Sequence, residues 1–152
     1  MSPKERGKEG QEQHKQLLIQ DNNTMLVDAD EDRITQVIDN LLSNALKFTN
    51  EGTISVSVES KYGQAVVSIK DNGQGIDPDI LPRLFTKFTS KSEVGGGTGL
   101  GLFISKSIIE VHGGKIWAEN NKDTVGATFS FSLPLANNNE RTSNSNDSSR
   151  LS

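Results

Sequence analysis

The sequence has no cysteine, so it can form neither a disulfide framework nor a thiolate metal site, and any bound metal must sit on oxygen or nitrogen ligands. That absence fits a reducing compartment. No apolar run approaches the ~20 residues needed to cross a bilayer. The opening stretch MSPKERGKEGQEQHKQ has none of the apolar character of a signal peptide. A basic surface is missing too: 16 Lys and Arg against 20 Asp and Glu leave a net charge of −4 and a pI near 5.2. This excludes a general nucleic-acid binder and makes any phosphate site a local one. Together these absences point to a cytoplasmic chain whose segment makes no membrane contact of its own. What is present, 32% hydrophobic and 24% charged residues over 152 positions, suits one domain with a buried core.

The ends carry little to bury. Residues 1–15 are polar and without periodicity, and residues 136–152 include the Asn/Ser-rich run NNNERTSNSNDSSRLS. Both are expected to be disordered, which leaves an ordered domain over 16–135. Within it, LLIQ and TMLVDAD suggest short strands near 16–20 and 24–27, and Asp30 offers an N-cap for a helix reaching about Phe48. TISVSVE (53–59) and QAVVSIK (64–70) alternate with period two around SKYG, which predicts an antiparallel hairpin with one buried face. Asp77 and Pro78 suit the N-cap and first turn of a short helix through LPRLF. A second long helix, GLFISKSIIEVH, ends at Gly113-Gly114, and KIWAEN and GATFSFSLP form a final strand pair. In the last strand Phe129, Phe131 and Leu133 share one face, with Ser130 and Ser132 on the other. The order predicts an α+β fold with helices on one face of a mixed, mainly antiparallel sheet, and excludes a doubly wound parallel sheet.

Three stretches carry chemistry. DNGQGI, residues 71–76, hangs directly from a predicted strand; alone, it reads equally as a tight turn, since Asn and Gly tolerate positive φ. In the first helix Ile34, Val37, Ile38, Leu41, Leu42, Ala45 and Leu46 make a core stripe, and opposite it Gln36, Asn40, Asn44 and Lys47 line one narrow strip. Asn costs roughly 0.6 kcal/mol relative to Ala in a helix, so two of them at i, i+4 break a local rule, and such breaks tend to mark function. Their amide oxygens are neutral hard ligands for Mg²⁺, and Lys47 one turn further can meet an anion. Finally, SEVGGGTGLGLF packs five glycines into 95–101 before opening a helix, so several backbone N–H groups can converge on a phosphate. No Lys-Ser/Thr follows these glycines as in a P-loop, and no window satisfies GxGxxG.

In order, the stretches QVIDNLLSNALKF, DNGQGI, LFTKF and GGGTGLGLFISKSIIEVHGG, closed by GATFSFSLP, resemble the N, G1, F and G2 boxes of the ATP-binding catalytic domain of sensor histidine kinases, within the GHKL superfamily. The resemblance covers about residues 16–135 and implies a two-layer α/β sandwich of the Bergerat type. It further implies that Asp71 accepts a hydrogen bond from the adenine amine, Gly73 and Gly75 let the base approach the backbone, and Ile76 supplies an apolar wall. Asn44 would be the main Mg²⁺ ligand, with Asn40 beside it, Lys47 near the phosphates and Phe48 against the adenosine. Gly97, Thr98, Gly99, Leu100 and Gly101 would form the lid end and phosphate-contacting turn, with Phe85 and Phe88 packing the lid. Lys87 and Lys91 lie on that lid, and Lys91 follows Ser90, which holds the position where family members often place a basic residue against the γ-phosphate. Thr128 falls one position after the hydroxyl residue of related ATPases, where this chain has Ala127.

The ATPases of the superfamily activate water with a Glu where this chain has Asn40, and an amide takes no proton at neutral pH. The resemblance therefore implies a protein-histidine kinase that hydrolyses ATP slowly and passes its γ-phosphoryl group to a histidine. The alternatives are a GHKL-type ATPase and a non-catalytic adenine nucleotide-binding module. Neither His14, followed by Lys15, nor His112, at a helix end, fits the family's phosphoacceptor pattern. The implied partners are a histidine-bearing dimerisation domain outside this chain and a downstream response regulator.

Overall fold

The computed structural model describes residues 15–21, 24–87 and 100–136. The stretches 1–15 and 136–152, expected to be disordered, lie outside the described residues except for Lys15 and Ala136, each of which pairs with a strand or bridge neighbour. The described chain runs β1 (Lys15–Asp21), α1 (Glu31–Phe48), β2 (Gly52–Lys61), β3 (Gln64–Asp71), a single 3₁₀ turn (Leu81–Arg83), α2 (Gly101–Val111), β4 (Lys115–Asn120) and β5 (Ala127–Pro134). The five strands form one sheet in the order β1-β2-β3-β5-β4. β1 pairs with β2 in parallel, and every other pairing is antiparallel, giving the mixed α+β architecture that the element order predicts.

The period-two pattern decides which face is buried. Ile54 on β2, Ala65 and Ile69 on β3, and Ala127, Phe129, Phe131 and Leu133 on β5 are buried, while Ser55, Ser57, Ser68 and Thr128 alternate with them and are half-exposed. Ser130 and Ser132, on the other face of β5, are buried too, because β5 is flanked by β3 and β4. The two helices lie on the buried face and meet each other there. From α1 come Val37, Leu41 and Ala45, four apart, and from α2 Leu102 and Ile109, seven apart, with Ile108 beside Ile109, as a helical core stripe requires. Phe85 reaches the same core and packs edge-on against Phe129, with ring centroids 6.3 Å apart.

Three local expectations change in the structure. The strand expected at 24–27 is a single bridge, Val27 to Leu135, supported by the Ala136 N–H bonding to the Leu26 carbonyl at 2.7 Å. The hairpin turn is tighter than SKYG, because pairing persists to Lys61 opposite Gln64, and only Tyr62 and Gly63 turn, at φ of 52° and 75°. Two left-handed residues match the right-handed twist of the strands they join. The short helix after Asp77 is replaced by turns and one 3₁₀ turn. Asp77 still receives the Asp79 N–H at 2.9 Å, but Pro82 has no N–H with which to continue an α-helix.

α1 begins where the sequence places it: Asp30 Oδ1 accepts from the Asp32 and Arg33 N–H groups at 3.1 and 3.3 Å. α2 ends on a glycine-terminated cap, with Gly114 N–H to the Ile109 carbonyl and Gly113 N–H to the Glu110 carbonyl, at 2.9 and 3.0 Å. These two helix ends are tied by His112, whose Nε2 accepts the Asp30 N–H at 3.1 Å while Nδ1 stands 2.7 Å from the Ile108 carbonyl. A carbonyl only accepts, so Nδ1 carries the proton and the ring is neutral in this arrangement. Replacing Asp30 with Ala is expected to cost about 1 kcal/mol. Urea unfolding checks this as a lower midpoint at unchanged slope.

Candidate functional site

The last inward-facing position of β3 is not apolar. Ala65, Val67 and Ile69 are followed on the same face by Asp71, which the pleat turns toward the helix layer and leaves 2% exposed. Its Oδ1 accepts the Gly73 N–H at 3.0 Å and the Ala127 N–H at 3.1 Å, so one carboxylate oxygen joins the DNGQGI turn to the start of β5. Oδ2 is buried and has no partner among the described residues.

The turn is packed too tightly for side chains at two glycines. A Cβ on Gly73 would collide with the Phe48 carbonyl at the end of α1, and one on Gly126 would meet the Asp71 backbone. Glycine lets these backbones touch. Asn side chains clamp the turn from three sides. Asn72 Oδ1 receives the Thr53 N–H at 2.9 Å. Asn121 Nδ2 donates to the Asp71 carbonyl at 2.8 Å, and its Oδ1 accepts the Thr128 hydroxyl. The Asn120 carboxamide grips both backbone groups of Ile76, accepting its N–H at 2.7 Å and donating to its carbonyl at 2.8 Å. Lys70 adds an exposed ion pair to Asp123 at 3.2 Å, and this hydrogen bond holds the Asp123 carboxyl below its usual range.

Across from the turn, Asn40 ties α1 to α2. Its Nδ2 donates to the Gly101 carbonyl at 3.2 Å and to the hydroxyl of fully buried Ser105 at 3.0 Å. Both amide protons are thereby used, and Oδ1 is the group left over. Asn44 is half-buried one turn further along the strip, and Lys47 is exposed at the helix end.

The structure thus groups Phe48, Asp71 and Gly73 at one locus, with Gly75 and Ile76 held beside it by Asn120. It groups Asn40 with Gly101 at a second. Leu100 directly precedes α2, whereas Lys91, Gly97, Thr98, Gly99, Phe88 and Ser90 lie outside the described residues. Lys87 is described, its ammonium 5.3 Å from the Phe103 ring centre. The described residues contain no cluster of three or more His, Asp or Glu able to hold a metal, so any ion here would rest on amide oxygens and on groups a ligand brings. The sequence reading passed over Asn120, Asn121, Ser105 and Thr49. Asn120 was recoverable, since it follows Ile116 and Ala118 on the inward face of β4, where a polar residue is out of place.

A mixed sheet under two helices, with a buried carboxylate at a strand end facing an Asn-bearing helix, defines an ATP-binding fold of the Bergerat type. The family model described as histidine kinase-, DNA gyrase B-, and HSP90-like ATPase matches residues 29–137, and the chain belongs to that family. It is accordingly an ATP-binding domain. Over 117 residues, 72% of this chain, it is 40% identical to the sensor histidine kinase WalK of Bacillus subtilis, and over 126 residues, 80% of this chain, 46% identical to the sensor protein KdpD of Clostridium acetobutylicum. It spans only 19% and 14% of those two proteins. Among solved structures, the catalytic domain of histidine kinase ThkA superposes with a TM-score of 0.69 at 35% identity, covering 86% of this chain and 85% of that one. Full-length ShkA in complex with AMPPNP gives 0.70 at 28% identity, covering 87% of this chain and 27% of that one.

Asn120→Ala leaves the Ile76 N–H and carbonyl without partners, at an expected cost of about 2 kcal/mol. Hydrogen exchange is expected to show the Ile76 amide opening faster while the β3–β5 amides stay protected.

Proposed function

We propose that this domain binds Mg²⁺-ATP and donates the γ-phosphoryl group to a histidine on a separate dimerisation domain, as the catalytic part of a two-component kinase that serves a response regulator. The observation that carries this reading is Asp71 Oδ2, a buried acceptor with no donor among the described residues. The 6-amino group of adenine is such a donor, whereas the guanine carbonyl would face it acceptor to acceptor, so ATP is preferred to GTP. Gly73 and Gly75 keep the backbone open to the base, and Ile76 and Phe48 wall it.

On the facing helix, Asn44 and Asn40 offer side-chain oxygens to Mg²⁺, and Lys47 brings a positive charge toward the phosphates. Bound Mg²⁺ neutralises phosphate charge, the main demand of phosphoryl transfer. Leu100 and Gly101 open the N-terminus of α2 toward that region, and Lys91, Gly97, Thr98 and Gly99, outside the described residues, are the further residues expected to contact the nucleotide. Use of ATP fits a cytoplasmic domain spanning residues 16–135.

Asn40 favours transfer over hydrolysis. A Glu in its place would set a carboxylate against the Gly101 carbonyl, acceptor against acceptor, in a position where the present amide donates twice. His112 has both ring nitrogens engaged, which supports an acceptor histidine from another domain or chain. The similarity to the sensor proteins WalK and KdpD, and to ShkA in its AMPPNP complex, is consistent with this assignment.

Calorimetric titration with ADP and a non-hydrolysable ATP analogue, with and without Mg²⁺, tests the site. Binding is expected to prefer adenine, to strengthen with Mg²⁺, and to weaken at least ~10-fold in Asp71→Asn. Folded protein that binds neither nucleotide would overturn the reading. Labelled γ-phosphate is expected to reach a histidine of an added dimerisation domain, and its failure to reach any would favour a non-catalytic module. Asn40→Glu is expected not to raise ATP hydrolysis; a rise would favour an ATPase.

A further inference from the structure

Two side-chain oxygens among the described residues are buried without a hydrogen-bond partner, Asp71 Oδ2 and Thr49 Oγ1. They flank the same glycine. Gly73 donates its N–H to Asp71 Oδ1, and a Cβ on Gly73 would stand 3.1 Å from Thr49 Oγ1. Thr49 is the C-cap of α1, its N–H bonded to the Ala45 carbonyl at 3.1 Å, and it is 0% exposed in an extended conformation. Its hydroxyl therefore serves neither the helix nor the turn. Buried polar atoms are nearly always paired, so two orphans converging on one residue call for a ligand that satisfies both.

Their chemistries differ in a useful way. An ionised carboxylate only accepts, whereas a hydroxyl can donate. An acceptor and a donor flanking one point suit a ring edge that offers a donor next to an acceptor, and adenine presents that pair as its 6-amino group and a neighbouring ring nitrogen. We propose that Thr49 is a second base-reading group, its hydroxyl donating to a ring nitrogen beside the amino group while that amino group donates to Asp71 Oδ2. This rests on the adenine reading of Asp71 given above. It assigns part of the base specificity to the end of α1, the same helix that carries Asn40 and Asn44, so that base and phosphate recognition share one rigid element.

The test is calorimetry on the full chain with ADP, 1-deaza-ADP and 7-deaza-ADP, comparing wild type, Thr49→Val, Thr49→Ser and Asp71→Asn. Thr49→Val keeps the shape and removes the hydroxyl, and is expected to bind ADP about 10-fold more weakly, whereas Thr49→Ser stays close to wild type. One deaza analogue is expected to lose affinity for wild type yet to match ADP on Thr49→Val, which identifies the nitrogen that is read. Because the hydroxyl has no partner in the ligand-free fold, Thr49→Val is expected to unfold at a temperature no lower than wild type.

The inference is overturned if Thr49→Val binds ADP as wild type does, if Thr49→Ser is equally impaired, if both analogues lose affinity alike with and without the hydroxyl, or if Thr49→Val unfolds earlier. Wild type that binds no adenine nucleotide removes the adenine reading together with this inference. Binding by wild type and by Thr49→Val alike, with loss in Asp71→Asn, removes this inference alone.

Discussion

A carboxylate in the core layer is the constraint on which this end of the fold depends. Removing a charge from water costs several kcal/mol unless donors replace the lost hydration. Asp71 obtains two for one oxygen from the backbone of Gly73 and Ala127. To supply them, the chain must reverse immediately after β3 and β5 must begin beside that reversal. Gly126 is compact enough to lie against the Asp71 backbone, and Asn121 secures the Asp71 carbonyl. The second oxygen is left without a donor among the described residues, so the fold satisfies only half of this buried acceptor.

The helix layer solves a related problem. Asparagine is a poor helix former, yet Asn40 has both amide protons engaged by the Gly101 carbonyl and the Ser105 hydroxyl. These bonds set the start of α2 against α1 at the place where the helix N-terminus opens. At the opposite end of the same pair, neutral His112 bridges the last turn of α2 to the cap of α1. Two polar ties at the ends, with Val37, Leu41 and Ile109 packed in the layer, fix how the helices sit over the sheet. The C-terminal end of the same α1 meets the strand-end turn, where the Phe48 carbonyl lies against Gly73.

Much of this was legible in the chain because its causes are local. Alternation in TISVSVE, the stripe from Ile34 to Ala45, the Asp30 cap and the Gly113-Gly114 stop each act within a few residues, and each is found in the structure. Leu46, by contrast, is exposed, and Ser130 and Ser132 are buried with the core face of β5 because neighbouring strands cover them. The Asp77 segment misled because a good N-cap and a later Pro82 act in opposition, and the missing N–H prevails. The strand near Val27 shrank to one bridge because its only partner is Leu135, a contact spanning most of the chain. Asn120 stands out in the chain only as a polar residue on the inward face of KIWAEN, and the partners of Asn120 and Asn121 emerge only when β4 is seen beside the DNGQGI turn.

The sequence by itself determined the order and type of the elements, the buried face of each strand and the residue types that suit a nucleotide, since these depend on periodicity, capping and side-chain chemistry. Only the tertiary structure decided which polar groups are satisfied and which are not. Whether Asp71 Oδ2 or Thr49 Oγ1 has a partner depends on atoms brought from Phe48, Gly73 and Ala127, segments far apart in the chain. Hydrogen bonding is short-ranged and directional, so it is settled by packing alone.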